Sequence, residues 1–235
     1  HISRYDGWDP RPEDLKVEVP KPDEVRERLG DGLPEDTWQS LEVCRRSIEE
    51  YHQNDVPRDW VVSSDTGSAW GRVYRPVSSV GIYVPGGRYP YVSTVLMTAI
   101  PAAVAGCETI VVCTPGMPAV GEGGKRVRTP APAFLAAASL AGVREIYLVG
   151  GASAVAAMAF GTETVRKVEK VVGPGNVYVT LAKKMVFGEV GIDVLAGPSE
   201  LVVFADESAE PDLVSRDMLS QVEHDDFSWA VALTA

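Results

Sequence analysis

The stretch Val80–Gly87, VGIYVPGG, is a short apolar run that ends in a proline and two glycines. Uninterrupted apolar runs of this length are typical of strands that are buried on both faces of a parallel sheet. The glycines predict a tight turn from the strand into a helix. The pattern recurs in Glu145–Gly151 and in Val168–Gly175, with Ala- and Val-rich helical stretches between the runs. The sequence therefore predicts an α/β fold, with repeated strand–helix units and a parallel sheet covered on both faces.

The composition excludes several classes of protein. The chain has 235 residues, 45% of them hydrophobic, which is enough to form a buried core. Its 33 acidic and 22 basic residues give a net charge of −11, which argues against nucleic acid as a partner. The sequence contains no run of eighteen apolar residues and no secretory signal, so we expect no membrane partner and a cytoplasmic location. Cys107 and Cys113 lie in apolar contexts that favour buried structural thiols.

Several further elements can be predicted outside the three glycine turns. A helix is expected over Pro34–Gln53, with a buried stripe formed by Trp38, Leu41, Ile48 and Tyr51. Val61–Arg75 alternates apolar and polar residues and predicts one or two strands. The Gly-rich stretch Gly116–Thr129 reads as a mobile surface loop. An acidic helix is expected over Pro211–His224.

The three glycine turns predict a ligand-binding crevice. Pro85–Gly87, Gly150–Gly151 and Gly173–Gly175 each follow a strand and precede a helix. The carboxyl ends of parallel strands share one edge of a sheet, and helix N-termini there can face an anionic group such as a dinucleotide pyrophosphate. One such turn is better explained by tight chain reversal, but three at one edge favour a ligand. The GxGxxG fingerprint is absent, so a nucleotide would be bound in another way or not at all.

A second candidate site lies near the end of the acidic helix. Gln221 and His224 are three residues apart and share one helix face, and an amide oxygen and an imidazole can both ligate zinc. Two ligands do not complete a zinc site, and on spacing alone a histidine that interacts with the helix dipole is the better explanation. Ser199 follows Gly197–Pro198 and can either point into a crevice or cap a turn. Without a GxSxG frame, it does not indicate a serine hydrolase.

Five motifs together carry a resemblance to a known family. They are Val80–Gly87, Val149–Ala152, Gly173–Asn176, Ile192–Glu200 and Ser220–His224. This combination resembles the histidinol dehydrogenase family, and the resemblance covers nearly the whole chain. It implies a zinc-dependent, NAD-linked, four-electron oxidation of L-histidinol to L-histidine through a bound aldehyde, the last step of histidine biosynthesis.

The resemblance also implies the cofactor contacts. Tyr83, Ser153 and Asn176 occupy the positions that would contact NAD. Ser153 stands where the family usually has glutamine, and its shorter hydroxyl would act through water.

By the same resemblance, Ser199, Gln221 and His224 would contact the substrate, and Gln221 and His224 would bind zinc. In the family, the general base is a histidine preceded by a glutamate that activates water, and both lie downstream of the Gln-x-x-His helix. The other zinc ligands, an aspartate and a histidine, are also downstream, the histidine coming from the partner in a homodimer. We therefore expect a piece of a longer enzyme, with no catalytic residue in this chain and no turnover by it alone.

The expected fold is two Rossmann-like, doubly wound lobes with mostly parallel sheets, one inserted in the other. Residues 83–198 would form the continuous lobe, and residues 1–82 and 199–235 the split one. Two other functions stay open: a related NAD-dependent amino-alcohol or sugar-alcohol dehydrogenase on the same scaffold, and a non-catalytic ligand-binding module.

Overall fold

The computed structural model describes residues 8–86, 90–195, 200–223 and 228–234. Contacts within the chain divide it into two units, with the division after Leu195. The described helices of the first unit are α1 (Pro22–Leu29), α2 (Glu35–Asp55), α3 (Val92–Val104), α4 (Pro132–Leu140), α5 (Gly151–Phe160) and α6 (Val177–Val186). Its described strands are β1 (Lys16–Glu18), β2 (Trp60–Ser63), β3 (Ala69–Arg72), β4 (Ser79–Tyr83), β5 (Thr109–Cys113), β6 (Met117–Val120), β7 (Arg126–Thr129), β8 (Glu145–Tyr147), β9 (Lys170–Val172) and β10 (Gly191–Ile192).

Six of these strands form one central sheet in the order β1-β8-β5-β4-β9-β10. The edge strand β1 pairs antiparallel with β8, and the other five strands are parallel to one another. When the five parallel strands are numbered by their order in the chain, they lie side by side in the order 3-2-1-4-5. The order therefore reverses between β4 and β9, which is the strand order of a Rossmann-type sheet.

The core residues show that helices cover both faces of the sheet. Val80 and Ile82 of β4 pack in one hydrophobic cluster with residues of α3 and α4. Tyr83, also in β4, packs in a second cluster with residues of α5 and α6. Successive side chains of a strand point to opposite faces, so a strand in the middle layer must be apolar on both. The prediction of a doubly wound α/β fold is confirmed.

Helix α2 follows its prediction except for one residue of the expected stripe. Trp38 and Leu41 are buried, and Ile48 packs partly against the same core. Tyr51 is 69% exposed, so its predicted burial is wrong. At 3.6 residues per turn, Tyr51 lies about 140° around the helix from Trp38, outside the stripe.

Two antiparallel hairpins lie outside the central sheet. Strands β2 and β3 form the first, as the alternation in Val61–Arg75 predicts. Strands β6 and β7 form the second, in the segment expected to be a mobile loop. That expectation is wrong because the two strands pair in register. In addition, Arg128 donates hydrogen bonds to the carbonyl oxygens of Pro115 at 2.5 Å and Gly116 at 3.2 Å.

Cys107 and Cys113 agree with a structural role, whereas Cys44 is exposed. Cys113 of β5 is fully buried, and burial raises the pKa of its thiol to about 12. Cys107 is half-buried, and burial together with the nearby charge of Glu169 raises its pKa. Both thiols are therefore held in the protonated, unreactive form at neutral pH.

In the second unit, the described residues form one β–α–β unit. Strands β11 (Glu200–Ala205) and β12 (Trp229–Thr234) are parallel, and helix α7 (Pro211–Val222) joins them. The assignment of residues 1–82 and 199–235 to one split lobe around residues 83–198 stays a prediction. In the described part of the chain, none of the helices combines the length and the apolar character needed to cross a membrane.

Candidate functional site

The site predicted from the glycine turns lies at the carboxyl edge of the central sheet. The turns after β4, β8 and β9 all leave this edge, as the sequence indicates. Strands β4 and β9 are neighbours, with Val80 paired to Lys170 and Ile82 to Val172. The chain leaves β4 through α3 on one face and reaches β9 through α5 on the other. A reversal of this kind opens a crevice beyond the strand ends, which is where open α/β sheets bind ligands.

Two glycines allow the turns at this edge to approach closely. Gly173 has φ +114°, and a Cβ there would lie 2.1 Å from the carbonyl oxygen of Tyr83. A Cβ at Gly150 would lie 2.9 Å from Cβ of Pro115, in the segment that follows β5. Neither position has room for a side chain. These glycines are required because the ends of neighbouring strands touch, whether or not a ligand is bound.

Tyr83 links β4 to the start of α5. The residue is only 5% exposed, and its hydroxyl accepts a hydrogen bond from the backbone N–H of Gly151 at 3.1 Å. Gly151 is the first residue of α5, and Ser153 follows in the same turn, half-buried. The N-cap residue of α5 is Gly150, which has no side chain to cap the helix, so among its first N–H groups only that of Gly151 has the Tyr83 acceptor just described. The first N–H groups of a helix have no acceptor within it, so this end suits an anionic group.

Asn176 begins α6 at the same edge. Its side-chain oxygen accepts hydrogen bonds from the backbone N–H groups of Tyr178 at 3.1 Å and Val179 at 3.2 Å. Asparagine is a favoured N-cap because it satisfies donors that the helix leaves unpaired. The residue is exposed, and its capping bonds use the oxygen only. The three predicted cofactor residues thus come from the end of β4, the start of α5 and the start of α6.

An ion pair between a buried lysine and a partly exposed aspartate lies at this edge and was not predicted from the sequence. The Lys183 side chain on α6 is 3% exposed and pairs with Asp193, which follows β10. Its Nζ also donates to the carbonyl oxygen of Gly173 at 3.0 Å, and Asp193 Oδ2 accepts the N–H of Gly173 at 2.8 Å. Lys183 occupies the helix face of Val179 and Val186, both buried. A lysine on an otherwise apolar helix face was the available signal, since it requires a buried partner.

The predicted substrate and metal residues are only partly covered by the structure. Gln221 lies near the end of α7 in the second unit and is half-buried. Ser199 and His224 lie outside the described residues. Within the described part of the chain, no three His, Cys, Asp or Glu side chains come together as a metal-binding group. The zinc assignment to Gln221 and His224 therefore stays a prediction.

Known proteins resemble this chain over its whole length. The family model for histidinol dehydrogenase matches residues 1–235. Histidinol dehydrogenase of Parasynechococcus marenigrum (strain WH8102) is 49% identical over 231 residues, which are 98% of this chain and 50% of that protein. The same enzyme of Prochlorococcus marinus (strain MIT 9313) is 50% identical over 231 residues, or 98% of this chain and 49% of that protein.

A solved structure gives the same result. The crystal structure of histidinol dehydrogenase from Elizabethkingia anophelis matches with a TM-score of 0.85 and 38% identity, over 99% of this chain and 51% of that one. The chain spans about half the length of the curated relatives it matches. The resemblance inferred from the five motifs is confirmed, and the chain belongs to the histidinol dehydrogenase family.

Proposed function

We propose that this chain supplies the NAD-binding crevice and part of the zinc and substrate site of a histidinol dehydrogenase. The reaction proposed is the zinc-dependent, NAD-linked, four-electron oxidation of L-histidinol to L-histidine, the last step of histidine biosynthesis, by a cytoplasmic homodimer. The observation that carries the cofactor assignment is the strand reversal between β4 and β9, with Tyr83 and Asn176 at its two sides. Ligands of Rossmann-type sheets bind at such a reversal.

The residues at this edge fit a dinucleotide. The Tyr83 hydroxyl accepts the first N–H of α5, that of Gly151, and holds this end against β4, while the N–H groups that follow are suited to a pyrophosphate. The Asn176 side chain caps α6 through its oxygen, which leaves its Nδ2 group as a donor toward a ligand. Ser153 would contact the cofactor through a bridging water. Bound NAD would accept hydride from the substrate, while this chain would supply position and orientation.

The metal assignment rests on donor chemistry. The Gln221 amide oxygen and a His224 imidazole nitrogen, three residues apart, are donors that zinc accepts. Zinc, when bound, would hold the amine and imidazole of L-histidinol and fix the carbinol carbon relative to the cofactor. Gln221, His224 and Ser199 would contact that substrate directly. The resemblance matches no residue of this sequence to the general base, so the proposed role of the chain is binding and orientation.

The experiment is a calorimetric titration of NAD+ into the purified chain, with two charge variants. Asn176→Asp keeps an oxygen that caps α6 but removes the Nδ2 donor and adds a negative charge. We expect it to weaken NAD+ binding about tenfold, which corresponds to about 1.4 kcal/mol. Gln53→Glu makes the same charge change on the exposed surface of α2 and is expected to leave the affinity unchanged.

The outcomes separate the competing functions. A native chain with no saturable NAD+ binding would overturn the proposal and favour a non-catalytic module. A second titration with L-histidinol and Zn2+, with imidazole as competitor, tests the substrate in the full-length enzyme, which supplies the zinc ligands that the resemblance does not match to this sequence. Binding of NAD+ without zinc-dependent, imidazole-sensitive binding of L-histidinol would favour a related amino-alcohol or sugar-alcohol dehydrogenase.

A further inference from the structure

Gly173 is held at both polar groups of its backbone by one ion pair. Asp193 Oδ2 accepts its N–H at 2.8 Å, and Lys183 Nζ donates to its carbonyl oxygen at 3.0 Å. We propose that Lys183 and Asp193 are positioning residues that fix the turn from Gly173 to Asn176 for cofactor binding. This inference rests on the NAD-binding function proposed above.

The burial of Lys183 is not explained by the packing of its helix. Its neighbours on the same face are Val179, Ala182 and Val186, all buried, so an apolar side chain would suit the position. Taking the Lys183 ammonium group out of water is costly, and Asp193 is 32% exposed, so water screens part of the attraction between the two charges. Net stability therefore gives little reason for this pair. What the pair provides is a fixed geometry at Gly173.

The turn requires such a fixed geometry because its sequence is intrinsically flexible. Gly173 has φ +114°, and glycine loses more conformational freedom on folding than any other residue. With two glycines in three residues, the segment 173–175 would sample many conformations without external bonds. A binding turn ordered before the ligand arrives avoids that entropy cost at binding.

The geometry of this turn also sets the positions of Tyr83 and Asn176, the two proposed cofactor residues beside it. A Cβ at Gly173 would lie 2.1 Å from the carbonyl oxygen of Tyr83, so the two backbones are in direct contact. Asn176 lies three residues after Gly173 and starts the helix that carries Lys183. The ion pair therefore ties α6 and the end of β10 to the end of β9, at the point where the strand order reverses.

The test compares two double variants that both lack the charges. Lys183→Met/Asp193→Leu removes both bonds to Gly173, whereas Lys183→Met/Asp193→Asn keeps an acceptor for its N–H. Asparagine and leucine both branch at Cγ into two terminal atoms, so the variants share a side-chain shape and differ chiefly in polarity and in that hydrogen bond. We expect the Leu variant to bind NAD+ about tenfold more weakly than the native chain, and the Asn variant to remain within about threefold. A cooperative thermal unfolding transition in each variant serves as the check that it folds.

Amide hydrogen exchange of residues 173–176 is the second readout. The Leu variant should exchange faster there than the native chain, and the Asn variant should retain most of the protection. If both double variants bind NAD+ as the native chain does, or exchange at the native rate, the positioning role is wrong. Absence of NAD+ binding by the native chain would overturn the proposed function instead, and the exchange rates would then decide whether the pair fixes the turn.

Discussion

The two lateral edges of the central sheet each carry an ion-pair cluster, and the clusters differ in what they hold together. Along β1 and β8, Glu145 contacts Lys16 at 2.9 Å, Arg166 at 3.3 Å and the Tyr147 hydroxyl at 2.9 Å. These contacts join side chains only. Along β9 and β10, the Lys183–Asp193 pair binds the backbone of the turn that follows β9.

Exposure separates the two clusters further. The Arg166 side chain is 63% exposed and that of Lys16 is 33% exposed, so water screens their attraction to Glu145. The Lys183 side chain is 3% exposed, although its partner Asp193 is 32% exposed, so the difference in burial lies in the lysine. Glu145 also has more than one cationic partner, so the loss of one leaves another. The comparison shows that the β1–β8 cluster attaches an edge strand, whereas the β9–β10 pair fixes a loop at the crevice.

The largest expected effect is that of a methyl group at the crevice turn. Gly173→Ala places a Cβ 2.1 Å from the carbonyl oxygen of Tyr83 at φ +114°. Backbone strain and the clash together are expected to lower the free energy of unfolding by about 4 kcal/mol. Urea denaturation monitored by tryptophan fluorescence measures the change.

Gly142→Ala is the matched control at the other edge. Gly142 precedes β8 and has φ +80°, but nothing lies within 4 Å of an added Cβ. Only the left-handed conformation is penalised there, at about 1–2 kcal/mol. If Gly173→Ala and Gly142→Ala lower the free energy of unfolding equally, contact with Tyr83 does not constrain the turn at Gly173.

A methionine at each cluster lysine tests the two ion pairs directly. Lys183→Met leaves the Gly173 carbonyl without its donor and the partly exposed Asp193 without its partner, and should cost about 2 kcal/mol of unfolding free energy. Lys16→Met leaves Glu145 its remaining partners and should cost less than about 1 kcal/mol. Chemical denaturation of both variants at one salt concentration gives the comparison. A Lys16→Met loss as large as that of Lys183→Met would contradict the distinction between the clusters.

Much of the first unit was predictable because its signals are local. The helix predicted over Pro34–Gln53 forms over Glu35–Asp55, and the strands predicted within Val61–Arg75 form as β2 and β3. Strand β1 has only three residues, too few to show a period, and it exists because it pairs with β8 far along the chain. Strands β6 and β7 were missed because Pro118 and the glycines before Lys125 suppress the strand signal.

The candidate site was predictable only where one turn carries its own chemistry. Tyr83 and Asn176 each lie within a motif of adjacent residues, so the resemblance could single them out, and their contact with NAD stays a prediction. The Lys183–Asp193–Gly173 contact joins residues ten and twenty positions apart on three elements. Its formation depends on how β9 and β10 pair, and no local pattern specifies that contact.

The smallest expected effect is the acid sensitivity of the β1–β8 cluster. Burial opposes the ionisation of Glu145. The hydrogen bonds from Lys16 and Tyr147 outweigh this effect and hold the pKa of the Glu145 carboxyl below its ordinary value of 4.5. A lowered folded-state pKa means that this stabilisation is complete above about pH 4.5 and is lost as the pH falls through the folded-state pKa. Glu145→Gln should therefore cost about 1 kcal/mol at pH 7 and progressively less toward pH 3.

Urea denaturation of the native chain and Glu145→Gln at pH 7, 5, 4 and 3 measures this convergence. Glu18→Gln is the control on the same edge, since the Glu18 side chain is 85% exposed and should give the native profile. A difference between native and Glu145→Gln that stays constant with pH would mean that the carboxylate charge does not stabilise this edge. The contacts of Glu145 would then stabilise this edge through packing alone. The difference between the two clusters would consist only in the bonds that the Lys183–Asp193 pair makes to the backbone of Gly173.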